Sequence, residues 1–158
     1  LHIPLQSGSN NILKQMRRRY DVELYASKIK KIKSFIPDCC IGIDVIVGFP
    51  SENDEDFQAT YNFLDKLDIT YLHIFSYSDR ENTKAIMMNN KISNNIKQER
   101  RKSLTLLSDY KRESFIRDNL NKNYNVLFET YEDGIVSGLT ENYIKVYVKG
   151  NKELTNKI

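Results

Sequence analysis

Apolar positions along this 158-residue chain fall first into short runs and helical stripes, and only near the end into alternation. Leu1 to Leu5 is a short apolar segment stopped by Pro4 and by the turn-forming run Ser7-Gly8-Ser9-Asn10. Ile12 to Met16 begins a helical stretch. Arg17-Arg18-Arg19-Tyr20 leads to Asp21, an N-cap for a second helix over Val22 to Phe35. Leu24, Ile29, Ile32 and Phe35 follow helical spacing there, and Lys28, Lys30, Lys31 and Lys33 are expected to face water. Cys40 to Phe49 is a near-continuous apolar, β-branched-rich run, the mark of a strand buried on both faces in a parallel sheet. Pro50 breaks it. Ser51-Glu52-Asn53-Asp54 then opens a helix with an acidic first turn that complements its dipole. Phe57, Tyr61 and Leu64 make its inner face, and Tyr71 to Tyr77 is the next strand.

The order is therefore strand, helix, strand, helix, strand, which implies βαβ units with right-handed crossovers. The fold class is α/β: an α/β barrel or an open α/β sheet. Residues 78–95 are polar and irregular. Ile96 to about Asn121 is one long helix with Leu104, Leu107, Tyr110 and Phe115 among its apolar positions. Asn121-Lys122-Asn123 is a linker, and beyond it the period drops to two. Val126 to Glu129, Gly134 to Gly138 and Tyr143 to Val148 read as short strands separated by turns, suggesting a small β-barrel. Two domains follow, residues 1–122 and 123–158.

Charge changes the picture modestly. The net charge is +3, but it is uneven. Between Lys14 and Lys33 there are eight basic residues against two acids, and between Asp38 and Asp68 eight acids against Lys66 alone. Basic residues gather again between Lys97 and Arg117. Such asymmetry suits one anion-facing side, and it equally suits ordinary solvated helix faces. The adjacent Cys39 and Cys40 lack the spacing of a metal site and are read as small apolar residues entering a strand. A reducing cytoplasm is the natural compartment. No run approaches the ~20 apolar residues of a membrane span, and no signal peptide is visible. A first residue of Leu suggests a piece of something longer.

In α/β barrels and doubly wound sheets, ligands bind at the carboxyl ends of the strands. Three segments therefore carry the candidate chemistry: 2–10, 44–52 and 75–83. His2, Gln6 and Ser7 offer hydrogen bonds, and Gly8 permits close backbone approach; a tight turn beside a satisfied core histidine is the plainer reading. Asp44 lies inside an apolar strand, where a carboxylate must be paired or functional. Gly48 leaves room for a flat ligand such as adenine. Tyr77, Ser78 and Arg80 follow a strand, and Arg80 could clamp a carboxylate or phosphate or form a surface salt bridge. Arg17, Arg18 and Arg19 beside Tyr20 would attract phosphates, or simply end a helix in solvent.

Four of these segments stand together in order: His-Ile-Pro-Leu-Gln-Ser-Gly-Ser (2–9), Met-Arg-Arg-Arg-Tyr (16–20), Asp-Val-Ile-Val-Gly-Phe-Pro (44–50) and Phe-Ser-Tyr-Ser-Asp-Arg-Glu-Asn-Thr (75–83). As a set they closely resemble the radical S-adenosylmethionine (SAM) methylthiotransferase family. The tail, Val126-Leu127-Phe128-Glu129 with Gly138 to Val146, resembles that family's TRAM domain, a small OB-like β-barrel that binds tRNA. Met-Arg-Arg-Arg-Tyr is most like the branch acting on threonylcarbamoyladenosine beside the anticodon; the isopentenyladenosine branch usually has Asn for the middle Arg. The branch acting on a ribosomal protein usually lacks the Gln-Ser-Gly-Ser form.

The resemblance implies a partial radical SAM, TIM-like barrel followed by a partial TRAM barrel. It implies SAM and two [4Fe–4S] clusters in the full-length enzyme. One cluster cleaves SAM to a 5′-deoxyadenosyl radical that takes hydrogen from adenine C2; the second supplies sulfur, and another SAM supplies the methyl group. It also implies a tRNA anticodon stem-loop as partner and a monomer with no membrane attachment. Gln6, Asp44, Gly48, Ser78 and Arg80 would line the SAM and nucleoside pocket. Arg17 to Arg19 would lie near RNA, and Asn142, Tyr143 and Lys145 would belong to a tRNA-facing barrel. The family's Cys-x3-Cys-x2-Cys motif does not occur in this sequence. No metal ligand or catalytic residue is assigned, and the chain alone is expected to be inactive. Ser51 stands where the family usually has Gly, and Asp79 and Asn82 where it has Pro and Gly; Asn tolerates positive φ, so that turn can survive. Competing readings are a non-catalytic RNA-binding module, another barrel enzyme using the same half-barrel, and a non-functional truncation.

Overall fold

The computed structural model describes residues Leu1–Ile158, which divide into two compact units, Leu1–Ser114 and Phe115–Ile158. In the first, β1 (His2–Gln6), β2 (Gly42–Val47) and β3 (Tyr71–Ser76) form a parallel sheet in the order β1-β2-β3. Helices α1 (Asn10–Gln15) and α2 (Val22–Phe35) connect β1 to β2, and α3 (Asp54–Lys66) connects β2 to β3. A long helix, α4 (Asn94–Asp118), follows. No helix is long and apolar enough to cross a membrane.

The apolar run of β2 is buried as its composition requires. Ile43, Val45 and Val47 are fully buried together with Leu5, Ile29, Leu64 and Leu104, each contributing about 1.5–3 kcal/mol of apolar burial. Cys39 and Cys40 are buried free thiols at the entry to this strand. Asp21 caps α2, its carboxylate accepting from Leu24 N at 2.8 Å. The inner stripe of α2 differs from the one read by spacing. Leu24 and Phe35 are 45% and 76% exposed, and Tyr25, Ile29 and Ile32 face the sheet instead. The reason is polar: the Tyr25 hydroxyl reaches past the apolar layer to donate to Ile3 O at 2.8 Å, and burial pushes this phenol's pKa well up. Lys33, expected in water, is half-buried and pairs with Asp68 at 3.2 Å.

Asn53 and Asp56 form a reciprocal capping box at the start of α3. Along α4, Leu104 and Leu107 are buried but Tyr110 is 60% exposed. One residue on, half-buried Lys111 turns inward, its ammonium donating to Leu67 O at 2.8 Å and Asp65 O at 2.9 Å at the end of α3. Burial lowers its pKa.

The same face of α4 carries Arg100, almost fully buried. Its guanidinium donates to Glu52 Oε2 at 2.6 Å, to Glu52 O at 3.0 Å and to Asp54 Oδ1 at 2.7 Å, and lies over the Phe57 ring. Glu52 is buried too, and its Oε2 also accepts from Gly48 N at 2.7 Å. Burial raises the Glu52 pKa, opposed by the Gly48 N–H and by Arg100.

The second unit is an antiparallel meander of β4 (Val126–Glu132), β5 (Ile135–Thr140) and β6 (Lys145–Lys149). Asp133 and Gly134, with φ of +48° and +81°, make the two-residue hairpin turn that right-twisted strands favour. β4 and β5 are longer than the alternation in the sequence indicated, β6 starts two residues later, at Lys145, and together they form an open three-stranded sheet. The outer edge of β4 is bonded by the chain's last residues, Phe128 N to Lys157 O at 3.1 Å and Asn156 N to Phe128 O at 2.7 Å.

Replacing Arg100 with Met removes the only cation within hydrogen-bonding distance of a buried carboxylate. Arg100→Met should destabilise the chain by about 3–5 kcal/mol, read as a lower urea midpoint, whereas Glu52→Gln/Arg100→Met should cost clearly less.

Candidate functional site

At the carboxyl ends of the three parallel strands lies an open cavity of about 840 Å³. Three loops build it, each shaped by left-handed backbone. At the end of β1, the pairing with β2 slips between Pro4 and Gln6, leaving Leu5 without a partner in the ladder, and Gln6, opposite Val45, takes φ +79° and joins the cavity lining. After α1, Arg17 at φ +56° closes a Schellman turn: Arg17 N bonds Lys14 O at 3.0 Å and Arg18 N bonds Leu13 O at 2.9 Å. That turn brings Arg17 and Arg18 to the lining. After β3, Ser78, Arg80 and Lys84 line the opposite loop, where Asn82 adopts φ +63°. Asn82 thus holds the conformation expected of it in place of Gly. Ser51 likewise sits at φ +71°, which explains why glycine suits that position. Each non-glycine residue in this region costs roughly 1–2 kcal/mol.

Asp44 is paired, as a carboxylate inside an apolar strand must be. His2 Nε2 donates to its Oδ1 at 2.5 Å, with His2 and Asp44 side chains 44% and 25% exposed. His2 is therefore not the core histidine of the plainer reading. Its ring stacks on His73 at 4.7 Å, and Tyr71 meets His73 edge-on. Asp44 also lines the cavity.

Gln6, Asp44, Ser78, Arg80, Arg17 and Arg18 thus meet at one cavity. Gly48, Ser7, Gly8 and Arg19 lie outside the lining. At Gly48 a Cβ would lie 2.3 Å from Lys97 Cγ, so the space reserved for a flat ligand holds the Lys97 stem. Lys97 reaches on to donate to Tyr77 O at 3.0 Å and lies over its ring. Ser7 is fully buried and bonds Thr60 Oγ1 at 3.2 Å. Gly8 is needed because a Cβ would lie 2.7 Å from Thr60 Cα, so the close approach is to α3. Arg19 is exposed and outside the lining.

In the second unit, Asn142 is turned inward. It is buried, its Oδ1 accepting from Thr140 Oγ1 at 2.6 Å and its Nδ2 donating to Asn119 Oδ1 at 3.1 Å, so its amide is spent internally. Tyr143 is 69% exposed at φ +65°. Lys145 is exposed, with its ammonium 5.2 Å from the Tyr147 ring centroid.

Sequence reasoning missed Lys84 by one residue, since its loop was bounded at Thr83. It also gave no role to Phe49, which meets Tyr77 edge-to-face at 5.4 Å; both line the cavity. The position of Phe49 just past β2 was the available signal. Asp79, near Tyr77 in sequence, is exposed and paired with Lys91 at 2.5 Å, which holds its carboxyl below the usual range.

Parallel α/β folds bind their ligands at such a cavity, at the carboxyl ends of the strands. Residues 1–64 match the radical SAM superfamily. Along its whole length the chain is 40% identical to the threonylcarbamoyladenosine tRNA methylthiotransferase MtaB of Bacillus subtilis, and over 97% of its length 45% identical to MtaB of Aquifex aeolicus. Over 98% it is 36% identical to the tRNA-2-methylthio-N(6)-dimethylallyladenosine synthase of Protochlamydia amoebophila. The chain belongs to the radical SAM methylthiotransferase family, and it spans 35–36% of the length of these three relatives.

Gly48→Ala should destabilise the chain by about 1–2 kcal/mol, because the residue sits at φ +75° and its Cβ would meet Lys97. Adding Lys97→Ala should return only the steric part. Thermal unfolding of the single and double variants checks this.

Proposed function

We propose that this chain is the late part of the catalytic barrel, residues 1–122, and the beginning of a TRAM domain, residues 123–158, of a tRNA methylthiotransferase. In the full-length enzyme it would take part in adding a methylthio group to C2 of threonylcarbamoyladenosine beside the anticodon. The observation that carries the reading is the meeting of Gln6, Asp44, Ser78 and Arg80 at one cavity at the strand ends. The substrate rests on the higher identity to the two MtaB proteins, 40% and 45%, than to the dimethylallyladenosine synthase, 36%. Isopentenyladenosine is the second reading, favoured by that same similarity along nearly the whole chain.

SAM fits the donor set. Arg80 offers a guanidinium to its carboxylate, Asp44 a carboxylate to its ammonium, and Gln6 and Ser78 neutral hydrogen bonds to the nucleoside. When bound, one SAM would supply the methyl group and another, cleaved reductively, the radical chemistry that removes hydrogen from adenine C2. The chain's own part is to orient both reactants and to wall them off with Ile46, Phe49 and Phe75. The iron–sulfur clusters do not fit residues of this chain. Cluster iron needs placed thiolates, whereas the two cysteines are adjacent and buried, and no group of three metal-ligating side chains occurs. The chain on its own is accordingly read as inactive. Arg17, Arg18 and Arg19, with Tyr143 and Lys145, are the proposed RNA-facing residues. The enzyme would act as a monomer in the cytoplasm.

Arg80→Ala in the full-length, cluster-loaded enzyme should weaken SAM binding about tenfold or more. Unchanged SAM affinity and turnover would remove Arg80 from the site.

A further inference from the structure

The charge lining the cavity exceeds what the cofactor can use. Four cations, Arg17, Arg18, Arg80 and Lys84, face it against the single carboxylate of Asp44, and that carboxylate is already bonded to His2. None of the four forms an ion pair within the chain. SAM does not offset this charge. Its carboxylate is matched by its own ammonium, and its sulfonium leaves it net positive. One guanidinium, Arg80, answers the cofactor carboxylate; the other three, solvent-exposed and outside any ion pair, are free to receive an anion from the second reactant.

The two substrates named among the relatives differ in this respect. The dimethylallyl group is a neutral hydrocarbon, and the threonylcarbamoyl group ends in a free carboxylate. A hydrocarbon tail seated among unpaired guanidinium groups would strip them of water without replacing a hydrogen bond. A carboxylate accepts from a guanidinium in a bidentate, charge-assisted geometry.

Arg17 and Arg18 are the cations that the fold goes furthest to place. They lie across the cavity from the β3 loop that carries Arg80. Arg17 is held in the left-handed region, and two backbone hydrogen bonds fix the turn. Tyr20 anchors its far side by donating to Leu5 O at 2.9 Å, at the end of β1. Strain retained at a lining residue is the pattern expected of a binding site.

We propose that Arg17 and Arg18 together are the specificity determinants that read the carboxylate of the threonylcarbamoyl substituent. This rests on the substrate reading above and names the residues that enforce it. Phosphates of the RNA backbone could also neutralise these cations, so the test holds the backbone constant.

Full-length, cluster-loaded protein is titrated with two anticodon stem-loops that differ only in the modified base: threonylcarbamoyladenosine, and the same nucleoside with its carboxylate masked as the methyl ester. Turnover on the free acid and on an isopentenyladenosine stem-loop is measured in the same preparation. The free acid should bind about tenfold or more tighter than the ester. Arg18→Gln should shrink that ratio, Arg17→Gln/Arg18→Gln should bring it near one, and Arg18→Lys should keep part of it. Equal binding of acid and ester by the wild type, or an unchanged ratio in the double variant, overturns the inference; turnover of the free acid then leaves the substrate reading intact. Turnover of the isopentenyl stem-loop alone overturns both.

Discussion

A buried ion pair organises the first unit. Arg100, on the inner face of α4, reaches the loop between β2 and α3 and bonds both the side chain and the backbone oxygen of Glu52. Glu52 in turn accepts from the backbone of Gly48, at the end of β2. One guanidinium thus ties the end of the central strand, the start of α3 and the long helix into a single frame. Desolvating these charges is costly, and it is offset only because the guanidinium donates three hydrogen bonds and stacks on Phe57. A neighbouring turn of α4 places Lys97 against Gly48, filling the space that glycine leaves. The floor beside the cavity is therefore protein, and the open volume is set by the loops after β1, α1 and β3.

Those loops concentrate the backbone strain. Gln6, Arg17 and Asn82 all adopt positive φ and all line the cavity, and Ser51 does so in the loop after β2. Regular strands and helices would direct these side chains along the sheet or into solvent. The left-handed turns bend the chain so that Gln6, Arg17 and Arg18 share one concavity with Arg80. Strain of this kind persists where the surrounding packing over-determines it. Here the packing is supplied by Gly8 against Thr60 and by the buried strand ends.

Much of the fold was legible because its signals are local. The β-branched run of β2, the Asp21 cap of α2 and the acidic start of α3 each act within a few residues. The convergence of Gln6, Asp44, Ser78 and Arg80 followed from the rule that parallel strands present ligands at their carboxyl ends. What was not legible depends on contacts distant in sequence. Lys97 occupies the room beside Gly48 from a helix about fifty residues later. Asn142 looks like an exposed loop amide until Asn119 and Thr140 claim it. Leu24 and Phe35 gave way to Tyr25 on α2 because a phenol can bury its ring and still satisfy its hydroxyl at Ile3.

The account turns on the strand ends forming one nucleoside-binding cavity. Hydrogen exchange of the full-length protein, with and without S-adenosylhomocysteine as a stable cofactor analogue, addresses this most directly. Slower exchange is expected together in residues 6–9, 44–49 and 76–85, with little change along the outer face of α2. Unchanged exchange in all three segments under saturating ligand, with protection arising elsewhere in the protein, would contradict the account.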